Sequence, residues 1–157
     1  MLELYIMRHA AAEDGNGNDF SRTLTDKGRK QAEKMGDWLL ELMTAPLLVV
    51  SSPYPRAHET ANILAGRLGK AATVRLDERL APGMVQDEAF AVIHEFGRLA
   101  ERLMLVGHSP DLDYLVSRLI GAREGGVEMR KGAVACLTAE RVGFGGSTLC
   151  WLINPKL

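Results

Sequence analysis

Cysteine is scarce in this chain. Its 157 residues hold two, Cys136 and Cys150. They form no Cys-x-x-Cys pair and have no histidine pair beside them, so zinc-site spacing is absent. Each sits in an apolar run near the C-terminus and reads as a buried core thiol. A disulfide between neighbouring strands is geometrically possible but out of keeping with a reducing compartment. Long hydrophobic runs are also missing. None approaches the ~20 residues that a membrane helix needs, so no membrane partner is expected. The net charge of −1 argues against broad binding to nucleic acid or anionic lipid. Any anion site must therefore be local. The start, Met1-Leu2-Glu3-Leu4, has no basic segment ahead of an apolar stretch, so no secretory leader is expected and a cytoplasmic location is. Internal repeats, low-complexity tracts and linkers are absent.

What is present is a globular composition, 46% hydrophobic and 25% charged. The length suits one domain, residues 1–157, with a proper core. The run Leu2 to Met7 reads as a first strand. The polar segment Ala11 to Thr25, with Gly15-Asn16-Gly17-Asn18, reads as a mobile loop. Thr25 is a plausible N-cap for a helix to about Met43, with Ala32, Met35, Leu39 and Leu42 as its apolar stripe. Leu47 to Val50 has the length of a buried parallel strand. Ser52 and Pro53 resemble an N-cap and first helical residue. Ala57, Ala61, Leu64 and Leu68 continue that helix. Thr73 to Leu76 is a third strand, Gln86 to Gly97 a helix and Leu103 to Val106 a fourth strand. Ser109-Pro110 repeats the helix-start signature. Ala133 to Ala139 and Ser147 to Ile153 read as a closing hairpin. Alternating strands and helices predict an α/β fold: a three-layer α/β/α sandwich, its sheet mostly parallel, with a C-terminal antiparallel hairpin.

The chemistry-bearing residues cluster at strand exits. Arg8-His9 ends the first strand, at the edge where open α/β folds bind ligands. Arg56 follows the second strand, Glu78 the third and His108 the fourth. A phosphoryl dianion needs cations on its oxygens and a nucleophile in line with its leaving atom. The planar fork of arginine grips two oxygens at once, which suits Arg8 and Arg56. Helix starts near Arg56 and His108 also favour anions. His9 is then the nucleophile, and His108 stabilises a phosphoryl oxygen. His58 and His94 lack such placement and read as surface helix residues. Trp38 and Trp151 read as packing residues.

Four segments carry a resemblance: Arg8-His9, then Leu24-Thr25-x-x-Gly28-x-x-Gln31-Ala32, then Ser52-Pro53-x-x-Arg56-Ala57-x-x-Thr60-Ala61, then Val106-Gly107-His108-Ser109-Pro110. In this order they resemble the histidine phosphatase, or phosphoglycerate mutase-like, superfamily. The resemblance implies a three-layer α/β/α fold, no cofactor and no metal. It implies that His9 is phosphorylated during turnover, with Arg8, Arg56 and His108 completing the pocket. Ala10 departs from the family pattern, in which glycine is usual. The short chain, Arg22-Thr23-Leu24-Thr25 and the Gly-His-Ser-Pro segment are similar to the small phosphohistidine phosphatase SixA group. That similarity implies a phosphorylated protein partner, such as a histidine phosphotransfer domain. Asp77 to Gln86 is too short for a substantial lid, so the site is expected to be open. Arg22 and Ser109 are candidate substrate-binding residues, although Arg22 equally suits a surface salt bridge. Glu78 falls where other members carry a proton-donating glutamate, and equally suits a solvated loop. Two other readings fit these residues: a small-metabolite phosphomonoesterase of the same superfamily, and a non-catalytic phosphoprotein-binding module.

Overall fold

The computed structural model describes residues 1–42 and 46–156. Strand β1 (Leu2–Arg8) leads through a loop to helix α1 (Asp26–Leu42). Strand β2 (Leu47–Ser51), helix α2 (Pro55–Leu68), strand β3 (Ala72–Leu76) and helix α3 (Gln86–Gly97) follow. Strand β4 (Arg102–Gly107), helix α4 (Asp111–Leu119) and strands β5 (Val134–Ala139) and β6 (Ser147–Ile153) complete the order. The sheet runs β3-β2-β4-β1-β5-β6. The first four strands in sequence are mutually parallel. β5 lies antiparallel to β1, and β6 to β5. The three-layer sandwich with its antiparallel hairpin is therefore the fold.

The central strands are apolar through their middles because both faces are covered. Leu4 and Ile6 of β1, Leu48 and Val50 of β2, and Leu103 and Leu105 of β4 face one layer. There they meet Val92 and Ile93 of α3, and Leu112 and Leu115 of α4. Tyr5, Met7, Val49, Met104 and Val106 face the other layer, against Met35 and Leu39 of α1 and Ala61 and Leu64 of α2. Each fully buried Leu or Ile contributes about 1.5–3 kcal/mol by leaving water. These two cores hold the strand ends in fixed register.

Several features differ from the sequence reading. Helix α2 starts at Pro55, not Pro53, with Tyr54 as its N-cap. Helix α4 starts at Asp111, with Pro110 as its N-cap. In both cases the serine is drawn elsewhere. The Ser52 hydroxyl pairs with His108, and the Ser109 hydroxyl donates to Asp113. Cys150 is exposed while Cys136 is buried. A β-bulge between Cys136 and Leu137 pairs Trp151 with one and Leu149 with the other, leaving Cys150 without a register partner on the edge strand. Thr25 does cap α1, its hydroxyl accepting from Gly28 N at 3.0 Å. Met43, the expected end of that helix, lies outside the described residues. Trp38 and Trp151 are half-buried and pack edge to face, with ring centroids 4.9 Å apart. His94 is exposed, whereas His58 is half-buried.

The segment 11–25 is folded back on itself rather than loose. Ala12 and Leu24 form a bridge. Glu13 N donates to Thr23 O at 2.8 Å, and Thr25 N to Ala11 O at 3.0 Å.

Candidate active site

β1 and β4 are neighbours, yet their outgoing helices leave on opposite faces. α1 packs on one core and α4 on the other. Such a divergence opens a crevice at the carboxyl ends of the strands. His9 and His108 are the first residues beyond those two ends. His9 N donates to Gly107 O at 2.9 Å, and Ser52 N to Val106 O at 2.9 Å. These bonds place the exits of β1, β4 and β2 side by side. The His9 and His108 rings are 5.4 Å apart.

His9 Nδ1 lies 2.7 Å from Ala10 O. A carbonyl can only accept, so Nδ1 carries the hydrogen. The lone pair of His9 then sits on Nε2. Arg56 Nε donates to it at 3.3 Å. The remaining Arg56 nitrogens are also engaged: Nη1 donates to Asp19 O at 2.9 Å and Nη2 to Asp19 Oδ2 at 3.2 Å. Arg22 joins the same carboxylate, with Nη1 to Oδ1 at 3.3 Å. The Arg56 guanidinium also lies 5.3 Å from the centre of the Tyr54 ring, which meets His108 edge-on at 5.6 Å.

Arg8 Nη1 donates to Met129 O at 3.0 Å. Asp113 supports that contact from behind. Its Oδ2 accepts from Met129 N at 3.2 Å and its Oδ1 from the Ser109 hydroxyl at 2.5 Å. Burial lowers the affinity of Arg8 for its proton, and the Asp113 charge opposes that. His108 Nε2 pairs with the Ser52 hydroxyl at 2.8 Å, and its buried Nδ1 has no partner among the described residues.

The structure thus gathers His9, Arg56 and His108, all nearly fully buried, with Arg22 next to them. The charges of Arg8 and Arg22 both reach His9. Ser109 lies beside His108, but its proton is committed to Asp113. Glu78 is exposed, in the 3-10 turn Glu78–Leu80. That turn packs against the end of β4, as Leu80 O sits 3.5 Å from where a Cβ on Gly107 would be. No hydrogen bond or ion pair holds the Glu78 side chain among the described residues, whereas Asp77 and Arg79 bind each other. Sequence reasoning missed Asp19, Tyr54 and Asp113. Only the proximity of Asp19 to Arg22 in the polar loop could have pointed to the first. Among the described residues no three His, Cys, Asp or Glu side chains are grouped to hold a metal. A cleft of about 740 Å³ lies at the amino ends of the parallel strands, beside Leu2, Gly97 and Val142, and contains none of these residues.

Electrostatics set the protonation of both rings. Burial pushes His9 down to about 4, against the opposing pull of the Ala10 hydrogen bond, and Arg56, Arg8 and Arg22 add to the depression. Burial, then Arg56, pushes His108 down to about 3. Both rings are neutral at pH 7. Between about pH 4 and ~6.5 the unfolded chain binds protons that folded His9 excludes, so this group makes stability rise with pH. Urea unfolding from pH 4.5 to 7 is expected to show a gain that His9→Gln reduces by roughly 2–3 kcal/mol. An unchanged or larger gain in the variant would mean that folded His9 takes up its proton normally.

The family model of the histidine phosphatase superfamily (branch 1) matches residues 4–82. The chain belongs to this superfamily. Phosphohistidine phosphatase SixA of Escherichia coli is 26% identical over 98% of this chain and 94% of its own. The SixA homolog of Haemophilus influenzae is 28% identical over 78% of this chain and 79% of its own. Among solved structures, that of the protein histidine phosphatase SixA complexed with tungstate superposes with a TM-score of 0.85. It is 22% identical and covers 98% of this chain and 97% of that one. The chain is a phosphatase, similar to the SixA group.

The matched segment ends well before His108, so it is the sheet register that brings this histidine to His9. The motif residues Thr60, Gln31 and Gly28 hold the backbone just beyond His9. Thr60 Oγ1 accepts from Ala10 N at 3.1 Å and donates to Arg56 O at 2.7 Å. Gln31 Oε1 accepts from Ala11 N at 2.9 Å. Gly28 lets the helix start close on this loop: a Cβ there would sit 1.9 Å from Ala11 O. Ala10 is fully buried against Leu24 and Ala32 and has no positive φ. Its extra methyl is therefore part of a small apolar core and does not strain the backbone.

Proposed function

We propose that the protein removes phosphate from a phosphohistidine side chain of another protein, through a phosphohistidine intermediate on His9. The observation that carries this reading is the placement of the His9 ring. Its Nε2 lone pair faces Arg56, and His108 stands 5.4 Å away. In the first step Nε2 of His9 bonds to phosphorus as the bond from phosphorus to the substrate ring nitrogen breaks. Arg8, Arg56 and Arg22 carry positive charge around the transferred group, and the free Nδ1 of His108 meets one of its oxygens. Water then cleaves the bond between phosphorus and His9, releasing inorganic phosphate. Guanidinium groups supply the charge in both steps, so no metal takes part.

The brevity of residues 77–86, too short for a substantial lid, supports a protein substrate. Gly83 N and Met84 N donate to Asp111 Oδ2 at 2.9 and 3.1 Å, which ties this segment down on α4. The site mouth carries the exposed Phe20, whose ring meets Tyr54 edge-on at 5.0 Å. The names of the SixA relatives point to the same substrate chemistry.

The test compares kcat/KM for a panel of phosphohistidine proteins and small phosphomonoesters in excess chelator. A phosphohistidine protein is expected to turn over fastest, with no loss on chelation. Rapid turnover of a sugar phosphate alone would select the metabolite phosphatase. Activity lost on chelation and restored by one divalent ion would overturn the metal-free mechanism. Glu78→Gln belongs in the same panel. An alkoxide needs a proton as its bond to phosphorus breaks. A phosphohistidine ring already protonated on its other nitrogen leaves as neutral imidazole. Glu78→Gln is therefore expected to slow alkyl phosphomonoesters far more than phosphohistidine. No loss on either substrate would make Glu78 a solvated loop residue, and equal large losses would give it a part in both reactions.

A further inference from the structure

We propose that Asp19 is an internal counter-ion of the phosphate pocket: its carboxylate holds Arg56 Nη2 in the free enzyme and yields it to a phosphoryl oxygen, so that Asp19 governs how tightly the site keeps inorganic phosphate. The proposal rests on reading Arg56 as a phosphate ligand.

Arg56 is 3% exposed and has nowhere to turn. Its three donating nitrogens meet three different acceptors, and these are not equivalent. Nε meets the nucleophile. Nη1 meets the backbone carbonyl of Asp19, which belongs to the pinned loop. Nη2 meets the Asp19 carboxylate, whose side chain is 56% exposed and free to swing into water. Only this last acceptor is both anionic and removable. The carboxylate also reaches Arg22 with its other oxygen, at 3.3 Å. One two-oxygen anion therefore spans two guanidinium groups at the mouth of the pocket, as a phosphoryl group would.

The loop has its own supports. Arg22 Nε donates to Glu13 O at 2.9 Å, and Asn18 N to Gly15 O at 3.0 Å. The carboxylate can leave while the Asp19 carbonyl stays on Nη1. Burial alone would raise the Asp19 carboxyl. The Arg56 and Arg22 charges outweigh that and hold it below the usual carboxylate range, so at neutral pH the competitor is fully charged. A pocket of several arginines around a neutral histidine would otherwise trap the product dianion. With Asp19 in place, phosphate must displace a carboxylate to enter, and the returning carboxylate helps it leave.

The experiment is calorimetric titration of the full chain with inorganic phosphate, for wild type, Asp19→Asn and Asp19→Ala. Asparagine keeps an acceptor for Arg56 without the charge, and alanine removes both. Thermal melts identify which variants are folded, and either one suffices. Loss of the competing charge is expected to lower the phosphate Kd about ten-fold, within the usual range for two coupled ligands. Product inhibition by phosphate should strengthen in parallel. Unchanged or weaker phosphate binding in a folded variant would overturn the proposal, since Asp19 would then only be holding Arg56 in place. In that case phosphate binding by wild type still supports the pocket itself. Failure of wild type and variants alike to bind phosphate would overturn both.

Discussion

His9→Ala is expected to abolish turnover, with a fall in kcat on the order of 10⁴–10⁶, the scale on which removing a nucleophile acts. The same variant should lose a covalent intermediate. Wild-type enzyme mixed with substrate and quenched under denaturing, non-acidic conditions should carry an acid-labile phosphate on His9. We propose His9, rather than His108, as the nucleophile. Its Nδ1 is committed to Ala10 O, which puts the lone pair on Nε2, beside Arg56 and the exits of β2 and β4. His108 has its Nε2 committed to Ser52. Phosphate trapped on His108, or full turnover by His9→Ala, would reverse the assignment.

Arg56→Ala carries the second large effect. It is expected to cost roughly 2–5 kcal/mol of transition-state stabilisation, the range for truncating one partner of a desolvated charge pair. That corresponds to a loss of about 30- to 5,000-fold in kcat/KM. Arg56→Lys should recover only part of it. A lysine keeps the charge but cannot address His9, the Asp19 carbonyl and an incoming oxygen with one rigid fork. An independent readout comes from His108. After burial, the Arg56 charge is the next cause of its depressed pKa, so the alanine variant should titrate His108 upward when followed by NMR. A small kinetic effect with an unmoved His108 would place Arg56 outside the pocket.

Much of this site is legible before folding is considered. Arg8-His9 lies at the end of an apolar strand, and such ends meet at one sheet edge. His108 is legible for the same reason, although it sits far along the chain. Gly28, Gln31 and Thr60 are visible as motif positions, but their work is not. They brace Ala10 and Ala11, and this needs α1 and α2 packed on the same face. Glu78 is not legible in this way, because a residue after a strand can point into a crevice or into water. Here the side chain is exposed and unpaired among the described residues.

The sequence by itself determined the α/β alternation and the apolar content of the strands, and it singled out the candidate nucleophile with its candidate cations. These follow from local chemistry: continuous apolar runs for strands buried on both faces, helical stripes between them, and polar residues at the exits. Only the tertiary structure decided the partners of those cations. Asp19 stands 37 residues from Arg56, and Met129 stands 121 from Arg8. No periodicity links such positions. The starts of α2 and α4 were also decided in space: the Ser109 hydroxyl donates to Asp113, and the Ser52 hydroxyl pairs with His108 while accepting from Tyr54 N. The physical reason is the same throughout. A hydrophobic pattern specifies which face of an element is buried, whereas a polar side chain takes whichever donor or acceptor the packed core brings within reach.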